Sequence, residues 1–144
     1  MVVLNSQKKA LISDSLGFIY IYNLVHTPPL RIHEINTGSK NSLKTLKFNE
    51  ITNTLYTCCY HDGRIYGYKL GDSSEDRPEV TSVFSMSGMR FCRELEIVPE
   101  LGLLFVGYVG GYIYVFDLKN SKTPICKFFN SKTRRVSIKQ TLPK

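Results

Sequence analysis

Gly17-Phe18-Ile19-Tyr20-Ile21-Tyr22-Asn23-Leu24 returns 46 residues later as Gly63-Arg64-Ile65-Tyr66-Gly67-Tyr68-Lys69-Leu70. It returns again, 48 residues further on, as Gly111-Tyr112-Ile113-Tyr114-Val115-Phe116-Asp117-Leu118. Every copy has Gly first, Ile third, Tyr fourth, an aromatic residue sixth and Leu eighth. Self-similarity at a fixed period of this size marks a fold assembled from one repeated unit.

Working outward from these stretches, each is preceded by a second apolar run: Ala10–Ser13, Leu55–Cys59 and Leu103–Val106. Between run and repeat lies a tight Gly-bearing turn: Asp14-Ser15-Leu16-Gly17, His61-Asp62-Gly63 or Val109-Gly110-Gly111. Asp-Gly and Gly-Gly between apolar runs are hairpin signals, because such turns need residues that tolerate positive φ. A further strand pattern comes earlier in each unit, at Val2–Leu4, Leu43–Phe48 and Cys92–Val98. Alternation there puts Leu46 with Phe48, and Leu95 with Ile97, on one face. A fourth run closes each unit, at Leu30–His33, Val80–Phe84 and Ile125–Phe129. No segment carries a helical period. Four short antiparallel strands per unit describe one blade of a β-propeller.

At these residues the chain resembles the WD-repeat family. Its strand of Asp-Gly, aliphatic-x-aliphatic and Trp-Asp-Leu has counterparts in Asp62–Leu70 and Gly111–Leu118. The match is degenerate. Tyr22, Tyr68 and Phe116 stand where the family has Trp, and Asn23 and Lys69 replace its Asp, which only Asp117 keeps. The Gly-His dipeptide is absent; of the tight-turn Asp positions Asp62 matches, while Leu16 and Gly110 do not. The resemblance implies an all-β, partial β-propeller of about three four-stranded antiparallel blades. It also implies a non-catalytic scaffold that binds other proteins through rim loops and open blade edges.

The expected organisation is a single domain over 1–144, with blade units at about 1–40, 41–88 and 89–130 and residues 131–144 beginning a further blade strand. Propellers close with typically four to eight blades, so three units leave the ring incomplete. The chain is part of a longer polypeptide, or copies or partners complete the ring, or three sheets stand open. A partial propeller is the expectation, with unpaired edges that invite association.

Composition agrees with a packed domain. The chain has 144 residues, 42% hydrophobic and 22% charged, which excludes the disordered class. Its net charge of +7 is local: residues 1–118 hold 11 basic and 12 acidic side chains, summing to −1. All of the excess sits in Lys119, Lys122, Lys127, Lys132, Arg134, Arg135, Lys139 and Lys144. Such an end attracts anions, so the alternative function is an anion-binding module docking on phosphoinositides, anionic membrane or nucleic acid. The Phe-Arg-Arg-Gly motif of phosphoinositide-binding propellers is absent. Leu101 to Phe116 is an uncharged run of sixteen residues, but a spanning helix needs roughly twenty, and its four glycines and many aromatics suit strands. No transmembrane segment is expected, and the expected location is cytoplasmic or nuclear.

The search for chemistry returns little. There is no nucleophile elbow, Walker loop or His-Glu-x-x-His, so no catalytic residue and no cofactor is assigned. Cys58, Cys59, Cys92 and Cys126 read as reduced thiols, with vicinal Cys58 and Cys59 pointing to opposite faces of a strand. Cys59 and His61 are too few ligands for structural zinc, and no metal is assigned. The aromatic columns Tyr20/Tyr66/Tyr114 and Tyr22/Tyr68/Phe116 recur once per repeat, as packing between neighbouring blades demands. Arg134-Arg135-Val136-Ser137 matches the Arg-Arg-x-Ser pattern of basophilic kinases, making Ser137 a candidate phosphosite. The polar connection Asn36–Ser42 and the acidic loop Gly71–Glu79 fall on opposite rims. Arg64, Asp72, Arg90, Arg134 and Arg135 are the candidate partner-binding residues.

Overall fold

The computed structural model describes residues 1–73, 75–84, 91–119 and 123–129. Twelve strands follow in chain order: β1 (Val2–Leu4), β2 (Lys9–Ser13), β3 (Phe18–Asn23), β4 (Leu30–Asn36), β5 (Leu43–Asn49), β6 (Thr54–Cys59), β7 (Ile65–Lys69), β8 (Glu79–Phe84), β9 (Cys92–Val98), β10 (Leu103–Tyr108), β11 (Tyr112–Asp117) and β12 (Cys126–Phe129). They form three antiparallel sheets, β1-β2-β3-β4, β5-β6-β7-β8 and β9-β10-β11-β12, each ordered as in the sequence. These are three propeller blades. The uncharged run Leu101–Phe116 lies in a 3-10 turn (Pro99–Leu101), β10 and β11. Among the described residues no helix is long and apolar enough to cross a membrane.

The central hairpins form because turn chemistry and pairing agree. Gly17 sits at φ 86 and Gly63 at φ 68, in the left-handed region where a Cβ is unwelcome. The Asp14 carboxylate accepts hydrogen bonds from the Leu16 and Phe18 amides, each at 2.9 Å, and from the Tyr20 hydroxyl at 3.0 Å. Those donors, the Phe18 amide foremost, hold its carboxyl below the ordinary carboxylate range. β4 runs on to Asn36, three residues past the run expected, because all of β3 offers partners, Phe18 to Asn36 and Ile19 to Ile35.

The sheets approach one another most closely through their first strands, β5 against β9 and β1 against β5. Two apolar layers fill the spaces between them. The layer between blades 1 and 2 holds Leu4, Leu11, Ile19, Ile21 and Ile35 on one side and Leu43, Leu46, Leu55, Cys59, Tyr68 and Leu70 on the other. The layer between blades 2 and 3 joins Tyr56, Cys58, Ile65 and Phe84 to Cys92, Leu95, Ile97, Leu104, Val106, Tyr108, Tyr114 and Phe116. Burying each large apolar side chain contributes about 1.5–3 kcal/mol, so these layers are the main force joining the blades.

Strand alternation explains who faces whom. In blade 2, third-position Ile65 looks toward blade 3, while Tyr66, Tyr68 and Leu70 look back toward blade 1. In blade 3, Tyr112, Tyr114, Phe116 and Leu118 look back toward blade 2. In blades 2 and 3 the fourth and sixth residues of the repeat thus face backward, and in blades 1 and 2 its third-position Ile faces forward. Tyr20 and Tyr22 belong to neither layer, so the aromatic columns pack between blades only from the second blade onward. The vicinal thiols part the same way, Cys58 into one layer and Cys59 into the other. Cys58, Cys59 and Cys92 are buried and Cys126 is exposed; all four are free.

Candidate interaction surface

One rim of the blades carries the β2–β3, β6–β7 and β10–β11 turns with the β4–β5 connection and Phe91 at the entry to β9, since the strands run up and down between two ends. The β6–β7 turn is tightly tied. The Cys59 amide donates to the Arg64 carbonyl at 2.9 Å, the Gly63 amide to the Cys59 carbonyl at 3.0 Å and the Arg64 amide to the Asp62 carboxylate at 2.9 Å. From blade 3 the buried Tyr108 hydroxyl donates to the Gly63 carbonyl at 3.1 Å, locking this turn to the next blade. Burial pushes the Tyr108 phenol far up.

On that fixed base sits a group of rings. Tyr60 meets His61 edge-on at 5.2 Å between centroids and Phe91 at 5.4 Å, and His61 meets Phe91 at 5.9 Å. The Lys44 ammonium lies 5.1 Å from the Tyr60 ring centre, within the range of a cation–π contact. His61 and Phe91 are exposed and Tyr60 half-buried. Phe91 holds φ 60, a left-handed conformation that costs a bulky residue about 1–2 kcal/mol. Its carbonyl accepts the Val109 amide at 3.1 Å, so the β10–β11 turn holds the ring in the cluster. Three rings and a cation from three separate chain segments are thereby presented together on a rigid support.

Of the residues expected from sequence, Arg64 lies on this rim, where the neighbouring Tyr66 phenol raises its already high pKa. Asp72 does not join it: β7 separates the two, placing Asp72 on the opposite rim in a groove of about 360 Å³ with Lys69, Asp76 and Arg77. Arg90, Arg134, Arg135 and Ser137 lie outside the described residues. So do Lys122, Lys132, Lys139, Lys144 and the further strand expected over 131–144; of the basic end only Lys119 and Lys127 are placed. The ring cluster is what sequence reasoning missed. Its signal was available: Tyr60 and Phe91 are aromatics that fall outside the repeat's columns. A cleft of about 370 Å³ between blades 2 and 3 opens on the far rim, where Lys69, Lys119 and Glu100 meet Asn49, Thr54 and Tyr56. Among the described residues no group of three or more His, Cys, Asp and Glu side chains is gathered to hold a metal. The Cys59 thiol is instead pushed up to about 11, chiefly by burial.

The architecture defines a partial β-propeller, and its solved counterparts are WD-repeat propellers. The Sqt1 structure from Saccharomyces cerevisiae matches at TM-score 0.72 and 12% identity, covering 89% of this chain and 34% of that one. The Cps50 (Swd1) β-propeller domain from Myceliophteria thermophila matches at TM-score 0.74 and 12% identity, covering 88% and 39%. Raptor from Chaetomium thermophilum matches at TM-score 0.72 and 18% identity, covering 91% and 12%. This chain therefore has the WD-repeat propeller fold and spans well under half the length of each of these structures. No protein-family model and no curated protein matches its sequence.

Proposed function

We propose that this chain is a non-catalytic protein-interaction scaffold, a single domain that holds a partner on the rim carrying Lys44, Tyr60, His61 and Phe91. The observation that supports the reading is the exposed ring cluster, in which Phe91 keeps a strained backbone conformation while its ring stays in contact with two others. Strain of this kind gathers where recognition needs a side chain held in place. Exposed aromatics on a rigid base are the usual anchors of protein interfaces, because they bury much area and lose few rotamers on binding. Arg64, on the same rim, belongs to the proposed contact surface.

The test is affinity capture with the whole chain, its Tyr60→Ser/Phe91→Asn double variant, and Asp72→Ala as the far-rim control. Asn tolerates the left-handed backbone at position 91, so the fold is kept; unchanged thermal melting verifies it. The expected result is that captured proteins survive Asp72→Ala and are lost with the double variant. A double variant that retains the full wild-type set refutes the rim, and a wild-type chain that captures nothing refutes the scaffold.

A further inference from the structure

On the far rim, opposite the ring cluster, all three blades turn from their first strand to their second in the same way. Lys8, Asn53 and Gly102 hold left-handed φ angles of 49, 53 and 63. Their carbonyls accept the amides of the eighth-position leucines, Leu24, Leu70 and Leu118, at 2.8, 2.9 and 2.9 Å. This shared geometry fixes which residues correspond. Between blades 1 and 2 the turns are stitched together: Gln7 Nε2 donates to Asn53 Oδ1 at 2.8 Å, and Asn53 Nδ2 donates to the Leu70 carbonyl at 2.7 Å. Between blades 2 and 3 both partners are cut back. Thr52 stands in the place of Gln7, and Gly102 in the place of Asn53.

The trimmed junction is a cleft with a polar floor. At the stitched junction, the groove holding Gln7, Lys9, Asn53 and Asp72 is lined only by exposed or half-buried residues. The cleft of about 370 Å³ between blades 2 and 3 goes deeper, down to buried Asn49, Thr54 and Tyr56. Its mouth carries Lys69, Lys119 and Glu100, all exposed and none of them in an ion pair among the described residues. The Lys119 stem runs along Gly102, its Cε 3.4 Å from where a Cβ would stand, in the space an Asn53-like side chain would need.

We infer that this cleft binds a small hydroxylated phosphate monoester, of the sugar phosphate kind. Its volume falls in the range of small-molecule sites, roughly 300–1,000 Å³. Two unpaired ammonium groups match the charge of a phosphate monoester, about −1.5 to −2 at neutral pH, and lysine serves phosphate well as a point charge. Glu100 repels the phosphate and so suits the other end of the ligand, where it can accept from hydroxyl groups. Ile51, Pro99 and Leu118 give the ligand's carbon frame an apolar wall. The site shares no residue with the ring cluster on the other rim and stands or falls apart from the scaffold reading.

The experiment titrates the whole chain calorimetrically with glucose 6-phosphate, ribose 5-phosphate and glycerol 3-phosphate. Glucose and inorganic phosphate, each carrying half of the chemistry, are the comparison arms. At least one ester is expected to bind at one site per chain, about tenfold more tightly than inorganic phosphate, while glucose does not bind. Lys69→Gln and Lys119→Gln should each weaken that binding about tenfold. Lys9→Gln, at the stitched junction of the same rim, should leave it unchanged. Gly102→Asn puts back the side chain that Asn53 supplies and should abolish binding; Asn tolerates the left-handed backbone. Far-UV circular dichroism checks that each variant keeps its strands, and if Gly102→Asn does not, the lysine variants decide. No binding of any ester at millimolar concentration overturns the inference. So does inorganic phosphate binding as tightly as the esters, which would be an adventitious ion only. Binding that survives both lysine variants or a folded Gly102→Asn overturns it too, as does an equal loss from Lys9→Gln.

Discussion

Replacing Tyr108 with Phe tests whether the blades act as one cooperative body. Tyr108 is 0% exposed, and its hydroxyl is the donor that reaches from blade 3 to the Gly63 carbonyl in the turn of blade 2, at 3.1 Å. The substitution keeps the ring and its edge-on contact with Tyr114, 5.7 Å between centroids. Little packing is lost, so the cost comes from a buried carbonyl deprived of this donor, about 1–3 kcal/mol. Against that, the phenol no longer has to leave water, which brings the expected net loss to about 1–2 kcal/mol.

Tyr20→Phe is the matched control. Its hydroxyl also gives up one bond, to the Asp14 carboxylate at 3.0 Å, but at a half-exposed site where water takes over the acceptor. The expected cost there is clearly the smaller of the two. Nine tyrosines and no tryptophan make tyrosine fluorescence the probe, with circular dichroism as a second one. With a urea slope of about 2 kcal/mol/M, Tyr108→Phe should lower the midpoint by about 0.5–1 M and leave the slope unchanged. Equal losses from the two substitutions would refute the reasoning. A Tyr108→Phe transition split into two steps would refute it too, because blades 2 and 3 would then unfold separately.

Glycine and pH give two further checks. A Cβ at Gly17 would stand 2.5 Å from the Ser39 carbonyl oxygen, on top of its φ of 86, whereas at Gly38, φ 75, nothing lies within 4 Å. Gly38→Ala is therefore expected to cost about 1 kcal/mol from backbone conformation alone and Gly17→Ala clearly more, read from thermal midpoints. The Cys59 thiol, raised from 9.0 to about 11 by burial, contributes stability that is full below pH 9 and is lost as the pH climbs from 9 toward 11. Urea midpoints should fall over that window and fall less in Cys59→Ala; an identical alkaline decline in both would refute the assignment.

Much of this molecule was legible in its sequence because the repeat reports the same environment three times. Gly17, Gly63 and Gly111 mark turns, and the alternation around Ile65 and Tyr66 announces two buried sides. Even the parting of Cys58 and Cys59 followed from strand geometry alone. Alternation says that neighbouring side chains face opposite ways, but not which of them meets which blade, so the unpartnered position of Tyr20 and Tyr22 had to be seen. The rim cluster was harder still. Lys44, Tyr60 and Phe91 come from separate segments, and the left-handed backbone that turns Phe91 toward Tyr60 belongs to a residue type with no preference for it.

The fifth column of the repeat, which varies as Ile21, Gly67 and Val115, shows how the layers are tuned. On the forward face of blade 1, Ile21 stands opposite Leu11, with Ile35 nearby in the same layer. On the forward face of blade 2 the matching places hold Gly67, Tyr56 and Phe84. One side chain has vanished and two have grown. Phe84 uses the room to lie 5.2 Å from Phe116 of the next blade, a tilted ring pair that the aliphatic version cannot make. Interiors are close-packed, so a gap at one position is tolerable only where neighbours fill it. The glycine that breaks the column is thus part of the packing that joins blade 2 to blade 3. A repeat can drift this far in sequence while its sheets keep one spacing, because volume is conserved over the layer rather than at each position.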